Sequence, residues 1–190
     1  MKMMKIVLGI VWFVSASMSM AESSRFHDLG RDEVEKEFVE SEMPLPPVPS
    51  LTNETWFDLY ISATFSGKAR ILLDSIKMVP DGSVRYVLNN RSALGNDNIT
   101  AEGLLCTREE GLLNPAGYKS KIFGFADNVN KRWIQPRRTE WSASVMQKNV
   151  NRVRDVIFET VCRNGRAENE EALRQRFRQQ AGHGFNYQEK

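Results

Sequence analysis

The chain has 190 residues, a length that suits one domain with a single hydrophobic core. It contains 26 Lys and Arg residues and 24 Asp and Glu residues, which give a formal net charge of +2. Lys2 and Lys5 account for this excess, because the other residues carry 24 bases and 24 acids. Because the rest of the chain is formally neutral, its overall charge gives no argument for a nucleic-acid partner.

The N-terminal segment, residues 1–21, has the layout of a secretory signal peptide. Lys2 and Lys5 give it a positive start, an apolar stretch follows over 6–14, and Ser19-Met20-Ala21 supplies small residues before the expected cleavage point. The apolar stretch is too short for a membrane-spanning helix, which needs about 20 apolar residues. We therefore expect cleavage after Ala21 and export to the periplasm, with neither a membrane span nor a cysteine for lipid attachment at the new N-terminus.

Residues 22–55 form an acidic, proline-containing N-terminal segment in which nine acids outnumber three bases. Such charge density disfavours a stable isolated helix. Four prolines between Pro44 and Pro49 favour an extended polyproline II backbone. Two interpretations remain open. The segment is either a stiff lead-in to the first strand, which we favour, or a PxxP ligand, Pro44 to Pro47, for a groove on a partner.

Residues 56–163 are predicted to form a single α+β domain that begins with strands. The predicted strands cover residues 56–65, 69–79, 84–91, 98–106, 118–127 and 130–136. Pro80-Asp81-Gly82 has turn chemistry, since proline presets φ and glycine tolerates a positive φ. Alternation of Val84, Tyr86 and Leu88 with their neighbours predicts a strand that is buried on one face. Sequential pairing then gives an antiparallel meander of about five or six strands.

One C-terminal amphipathic helix is predicted to pack on this sheet. Its apolar positions recur at the spacing of one helical face and are Met146, Val150, Val153, Ile157 and Val161. Ser142 or Ser144 is the expected N-cap. Residues 164–190 then read as a polar, partly helical tail, with Glu170 and Arg174 at ion-pair spacing.

The two cysteines, Cys106 and Cys162, are predicted to form one disulfide. An oxidising compartment favours this pairing, and the spacing is not that of a CxxC redox centre. A zinc site would need further ligands, and His27 and His183 lie near opposite ends of the chain. The disulfide would staple the end of the helix to the strand that contains Cys106.

No motif in the sequence indicates a particular reaction. There is no GxSxG motif and no glycine-rich phosphate loop, and no metal or other cofactor is predicted. Glu102 is the most interesting acid, because alternation from Cys106 places it on the helix-facing side of its strand. A buried carboxylate needs a partner, so we favour a structural pair of Glu102 with Arg85 or Arg91 over a role as acid or base in a cleft.

A basic cluster around one tryptophan is the candidate ligand surface. Its members are Lys131, Arg132, Trp133, Arg137 and Arg138. Such a set can contact phosphate or sugar groups with the tryptophan as an aromatic platform. We favour the competing interpretation of solvated turn residues, because acids interleave with the bases along this half of the chain.

Several short motifs occur along the chain in a characteristic order. They are an acidic stretch followed by LPPVP, then Arg85-Tyr86, EGLLC, YKSKIFGF, Trp133, Trp141 and a helix ending in ETVC. From Glu33 to Cys162 the chain resembles the CNP1-like family of exported proteobacterial proteins. It departs from some envelope proteins of this kind in lacking a lipid-anchor cysteine and in its basic tail. The resemblance implies an envelope-located domain and implies no reaction.

Two functions of different classes follow as expectations. The first, which we prefer, is a non-enzymatic periplasmic binding or scaffolding module that contacts an envelope protein or polymer. The second is a hydrolase-like envelope enzyme that uses Glu102 as acid or base. Exported nucleic-acid binding is a distant third, since it would require a steep salt dependence of association.

Overall fold

Seven strands, two α-helices and one π-helical turn make up the described part of the computed structural model, which covers residues 38–53, 55–107, 117–145 and 152–183. The strands are β1 (Trp56–Leu59), β2 (Lys68–Met78), β3 (Val84–Arg91), β4 (Ile99–Thr107), β5 (Gly117–Asp127), β6 (Arg132–Ile134) and β7 (Ser142–Val145). The helices are α1 (Arg152–Cys162) and α2 (Glu170–Arg176), and the π-helical turn (Phe177–Ala181) continues α2. The predicted signal peptide lies outside the described residues. Within those residues no helix is both long and apolar enough to span a membrane.

The sheet is an antiparallel meander, as the sequence predicts. Its strands pair in the order β1-β2-β3-β4-β5-β6, and Gly82 in the β2–β3 turn has a φ of +88°. The sequence does not predict β7, which pairs with Gly117–Ser120 of β5. The three-residue β6 pairs only with Phe125–Asp127 at the other end of β5. Strand β7 therefore covers one end of the β5 edge and β6 covers the other.

The expected N-cap of the C-terminal helix lies in a strand. Ser142 and Ser144 lie in β7, where their backbone completes the edge of β5, so the expected N-cap is wrong. Helix α1 begins at Arg152. Three of the predicted core positions are buried, namely Val153, Ile157 and Val161. The other two, Met146 and Val150, lie outside the described residues.

The main hydrophobic core lies between one face of the sheet and the helices. The expected polar tail contributes to it, because Leu173, Phe177 and Ala181 are at most 1% exposed. These residues recur every four positions and so form one apolar face among charged neighbours. The predicted ion pair of Glu170 with Arg174 is present at 3.4 Å. The packed domain therefore extends beyond the expected boundary at residue 163, through the π-helical turn.

The predicted disulfide joins Cys106 of β4 to Cys162, the last residue of α1, with an S–S distance of 2.04 Å. It closes a loop with a sequence separation of 56. In the chain-entropy treatment a loop of this length stabilises the folded state by about 4 kcal/mol. The helix is thus held covalently against the strand whose alternating residues face it.

The second face of the sheet is covered by residues 38–49, here called the strap, and by large aromatic side chains. Trp56 and Trp133 pack there against a small apolar cluster centred on Val87. Three β3 residues on this face are at most 6% exposed, and they are Arg85, Val87 and Asn89. Strand β3 is therefore buried on both faces, so the prediction of a strand buried on one face is wrong.

Candidate functional site

Glu102 is buried on the helix side of the sheet and pairs with Arg154 of α1. Its carboxylate accepts hydrogen bonds from Arg154 Nε at 2.7 Å and Nη2 at 2.9 Å. Thr100 Oγ1 donates to it at 2.7 Å and the Tyr86 hydroxyl at 3.4 Å. Both carboxylate oxygens are therefore occupied by donors.

The predicted partners of Glu102 are wrong because they lie on the other face of the sheet. Glu102 is directly opposite Tyr86 in the β3–β4 pairing, and Arg85 is opposite Gly103. The Arg85 guanidinium bonds instead to Asp81 at 3.1 Å, and Arg91 Nε donates to the carbonyl of Gly95. A signal for Arg154 was present in the sequence, since it lies three positions before Ile157 on the apolar helical face.

The electrostatics of this pair indicate a structural role. Burial alone would lower the pKa of the Arg154 guanidinium, but the hydrogen bonds and the charge of Glu102 outweigh burial and raise it. Burial, followed by the Glu102 charge, raises the pKa of the Tyr86 hydroxyl well above its usual value. A carboxylate locked to a guanidinium in this way has no free oxygen with which to accept a substrate proton.

A cavity of about 530 Å³ lies between the strap and the second face of the sheet. Residues 40–46 of the strap form one wall, and strands β2 to β5 form the other. The sheet residues at this wall are Asp74, Ser75, Lys77, Arg85, Tyr86, Val87, Ala101, Glu102 and Phe123. The volume falls within the range of about 300–1,000 Å³ that small-molecule sites occupy.

Both register irregularities of the sheet border this cavity. One lies in β2 between Leu72 and Lys77, and the other lies in β5, where Phe123 is the extra residue opposite Ala101 and Glu102 of β4. In the first, the hydroxyl of Ser75 donates to the carbonyl of Leu72 and accepts the backbone N–H of Val87. Bulges of this kind redirect side chains and are frequent beside functional sites. They open the sheet surface beneath the strap.

Arg85 is the buried cation of the cavity wall and is only 6% exposed. Its guanidinium carbon lies 4.0 Å from the centroid of the Phe123 ring and 5.2 Å from that of Trp141. The neighbouring β4 position must be glycine, because a Cβ on Gly103 would lie 2.9 Å from both aromatic rings. Gly103 therefore allows the cation and the two rings to stack close to the sheet.

The strap is held at both ends of the cavity by polar contacts. The Glu40 carboxylate accepts hydrogen bonds from Lys121 at 2.7 Å and from the Trp141 indole at 2.7 Å. The backbone N–H of Ser41 donates to Asp81 at 2.9 Å. Past the roof of the cavity, the Trp133 indole donates to the carbonyl of Pro46. The proline segment thus docks on its own domain as the lead-in that we favoured.

The predicted basic cluster is divided by the fold. Its four cationic side chains are exposed, and they are Lys131, Arg132, Arg137 and Arg138. Trp133 is half-buried, and its ring packs against Gly124 in the sheet and against the strap. It therefore does not present a free aromatic platform beside the cations. The part of the chain that the structure describes also contains no group of three or more side chains arranged to hold a metal.

Comparison with known proteins identifies the family of the chain. The profile of the CNP1-like family matches residues 33–178, and the chain belongs to that family. A curated relative is Cryptic neisserial protein 1 of Neisseria gonorrhoeae (strain ATCC 700825 / FA 1090). It is 38% identical over 165 residues, which cover 84% of this chain and 81% of the relative. No solved structure matches the chain.

Proposed function

We propose that the protein is an exported, non-enzymatic binding module of the cell envelope whose cavity takes a small, predominantly apolar molecule. The observation that carries this proposal is the cavity of about 530 Å³ between strap and sheet. Apolar atoms make up most of the surface that its walls expose, and polar and charged side chains beside them can orient a ligand. Val87, Ala101 and Phe123 supply the apolar floor, and Met43 and Leu45 supply the roof.

The enzymatic alternative receives less support from the geometry. Glu102, its candidate acid or base, is 2% exposed and bound through two hydrogen bonds to Arg154. A general acid or base has to reach the proton that it transfers. A carboxylate that already accepts four hydrogen bonds is better suited to holding α1 on the sheet.

Export is supported by the leader-like residues 1–21 and by the disulfide, since stable disulfides belong to oxidising compartments. The intact mass of the chain recovered from whole cells of the native host should correspond to a start at Glu22 and should increase by two hydrogens on reduction. A full-length chain with free thiols would contradict export.

The binding proposal is tested by filling the cavity. Ala101 is 3% exposed and lies in its wall, so Ala101→Leu places a larger side chain inside it. The matched control is Ala143→Leu, at an exposed position of β7. Wild type and control should bind butylbenzene saturably at one site, and Ala101→Leu should not.

A wild-type protein that does not bind butylbenzene, or an Ala101→Leu variant that binds it equally well, would contradict the proposal. Circular dichroism and the urea midpoint verify that each variant is folded. Ala101→Val serves as a smaller filling substitution where leucine lowers the midpoint strongly, and it should weaken binding without abolishing the fold.

A further inference from the structure

We propose, on the basis of the binding function above, that Arg85 recognises an uncharged carbonyl oxygen on the apolar ligand. Within the described residues, the only hydrogen bond of the Arg85 guanidinium runs from Nη2 to Asp81 Oδ2, at 3.1 Å. Its Nε is buried and has no acceptor among the described residues. Guanidinium has five N–H groups, and a buried donor without a partner is costly to the fold.

Arg85 lines the cavity, so a ligand in this space lies beside its guanidinium. The residue is 6% exposed and forms part of the cavity wall, so it is secluded from bulk water. Phe123 at 4.0 Å holds the guanidinium plane by a cation–π contact. A donor fixed in this way is prepared to bind an acceptor without further ordering of its side chain.

The surrounding charges favour an uncharged acceptor over an anion. Asp81, with a fully buried side chain, already balances the positive charge of Arg85. Glu42 and Asp74 add further negative charge to the cavity wall, whereas Glu40 is paired with Lys121 and Lys77 with Glu170. An anionic head group would meet this negative surplus, whereas a ketone, ester or amide oxygen accepts the same hydrogen bond without that repulsion.

Three probes of similar size separate the contribution of the apolar surface to binding from those of an uncharged carbonyl and of a negative charge. Butyrophenone carries an uncharged carbonyl, butylbenzene carries no acceptor, and 4-phenylbutyrate carries an anionic carboxylate. Since a hydrogen bond from a charged donor strengthens binding, butyrophenone should bind wild type about tenfold more tightly than butylbenzene. It should also bind more tightly than 4-phenylbutyrate. Isothermal titration or ligand-observed NMR measures all three dissociation constants.

The matching variant is Arg85→Met, which removes the guanidinium donors and leaves Asp81 with its hydrogen bonds from Ser41 and Ser83. It should keep butylbenzene binding and lose the tenfold preference for the ketone. Arg85→Lys is the second variant, since it keeps a charge beside Asp81 but lacks the forked donors, and the preference should fall.

The outcomes distinguish this inference from the function on which it rests. If wild type binds none of the probes, the binding module itself is overturned. If it binds butylbenzene and butyrophenone equally, the cavity stands and the role of Arg85 is overturned. If 4-phenylbutyrate binds most tightly, the site is an anion site and the uncharged carbonyl is overturned.

Discussion

The pair of Glu102 with Arg154 shows how one buried contact joins the sheet to its helix. Glu102→Gln keeps the shape of the side chain but leaves the Arg154 guanidinium, which is 19% exposed, without a counter-charge. Breaking a buried pair by removing one partner costs about 3–5 kcal/mol. We expect a loss of this size in the free energy of unfolding, measured by urea denaturation.

Two further variants complete this comparison. Glu42→Gln changes an exposed acid of the strap and should leave the free energy of unfolding within about 0.5 kcal/mol of wild type. Arg154→Met added to Glu102→Gln should recover part of the loss, because no buried charge then remains at this contact. Unchanged stability in Glu102→Gln would refute the structural role and return Glu102 to the enzymatic alternative.

At the scale of the element, the strap is held by two carboxylates whose ionisation depends on pH. Burial raises the pKa of Glu40, but hydrogen bonds from Lys121 and Trp141 outweigh it and leave the pKa below the usual 4.5. Burial likewise raises the pKa of Asp81, and donors from Ser83 and Ser41 bring it below the usual 3.8. Glu40 and Asp81 therefore stabilise the folded state when the pH is above their ordinary pKa values of 4.5 and 3.8. This stabilisation is lost as the pH falls through their lowered pKa values.

Acidification should therefore loosen the strap before it unfolds the disulfide-closed core. Fluorescence of Trp133 and Trp141, which contact the strap, should change over the interval below about pH 4.5. Glu40→Gln should make this transition shallower, and Glu42→Gln should leave it as in wild type. Fluorescence and stability that stay constant over this interval would contradict the assignment of the strap contacts.

Local patterns predict the elements of this fold better than they predict the faces of its strands. Nearby residues predict the Pro80-Asp81-Gly82 turn and the apolar stripe through Ile157, and an oxidising compartment predicts the cysteine pair. All three features are found in the structure. The facing direction of Arg85 depends on the residue count through the 92–98 turn. An error of one residue there moves a side chain to the other face.

The cavity could not be predicted because its parts are distant in sequence. Glu40 and Lys121 are separated by 81 positions, and Pro46 and Trp133 by 87. Periodicity carries no information about contacts of this range, and the proline segment shows only that its backbone is extended. The buried face of α2 and of the π-helical turn was not predicted for a different reason. Leu173 and Phe177 stand among arginines and glutamines, which are typical of a solvated tail.

The whole molecule consists of two layers on one sheet, with different roles. On one face, α1, α2 and the disulfide form a closed core, and Glu102 and Arg154 lock it. On the other face, the strap encloses space that side chains do not fill. A sheet with a packed core on one face and open space on the other is suited to holding a ligand, and we propose that this division defines the protein.

The most direct measurement of that claim is a methyl-labelled NMR titration of the wild-type protein with butylbenzene. The methyl groups of Leu45, Val87 and Ala101, which line the cavity, should shift together and saturate. Those of Leu104, Ile157 and Leu173, buried in the opposite core, should stay in place and serve as the internal control. Shifts confined to the opposite core, or no saturable shift at the cavity, would contradict the account.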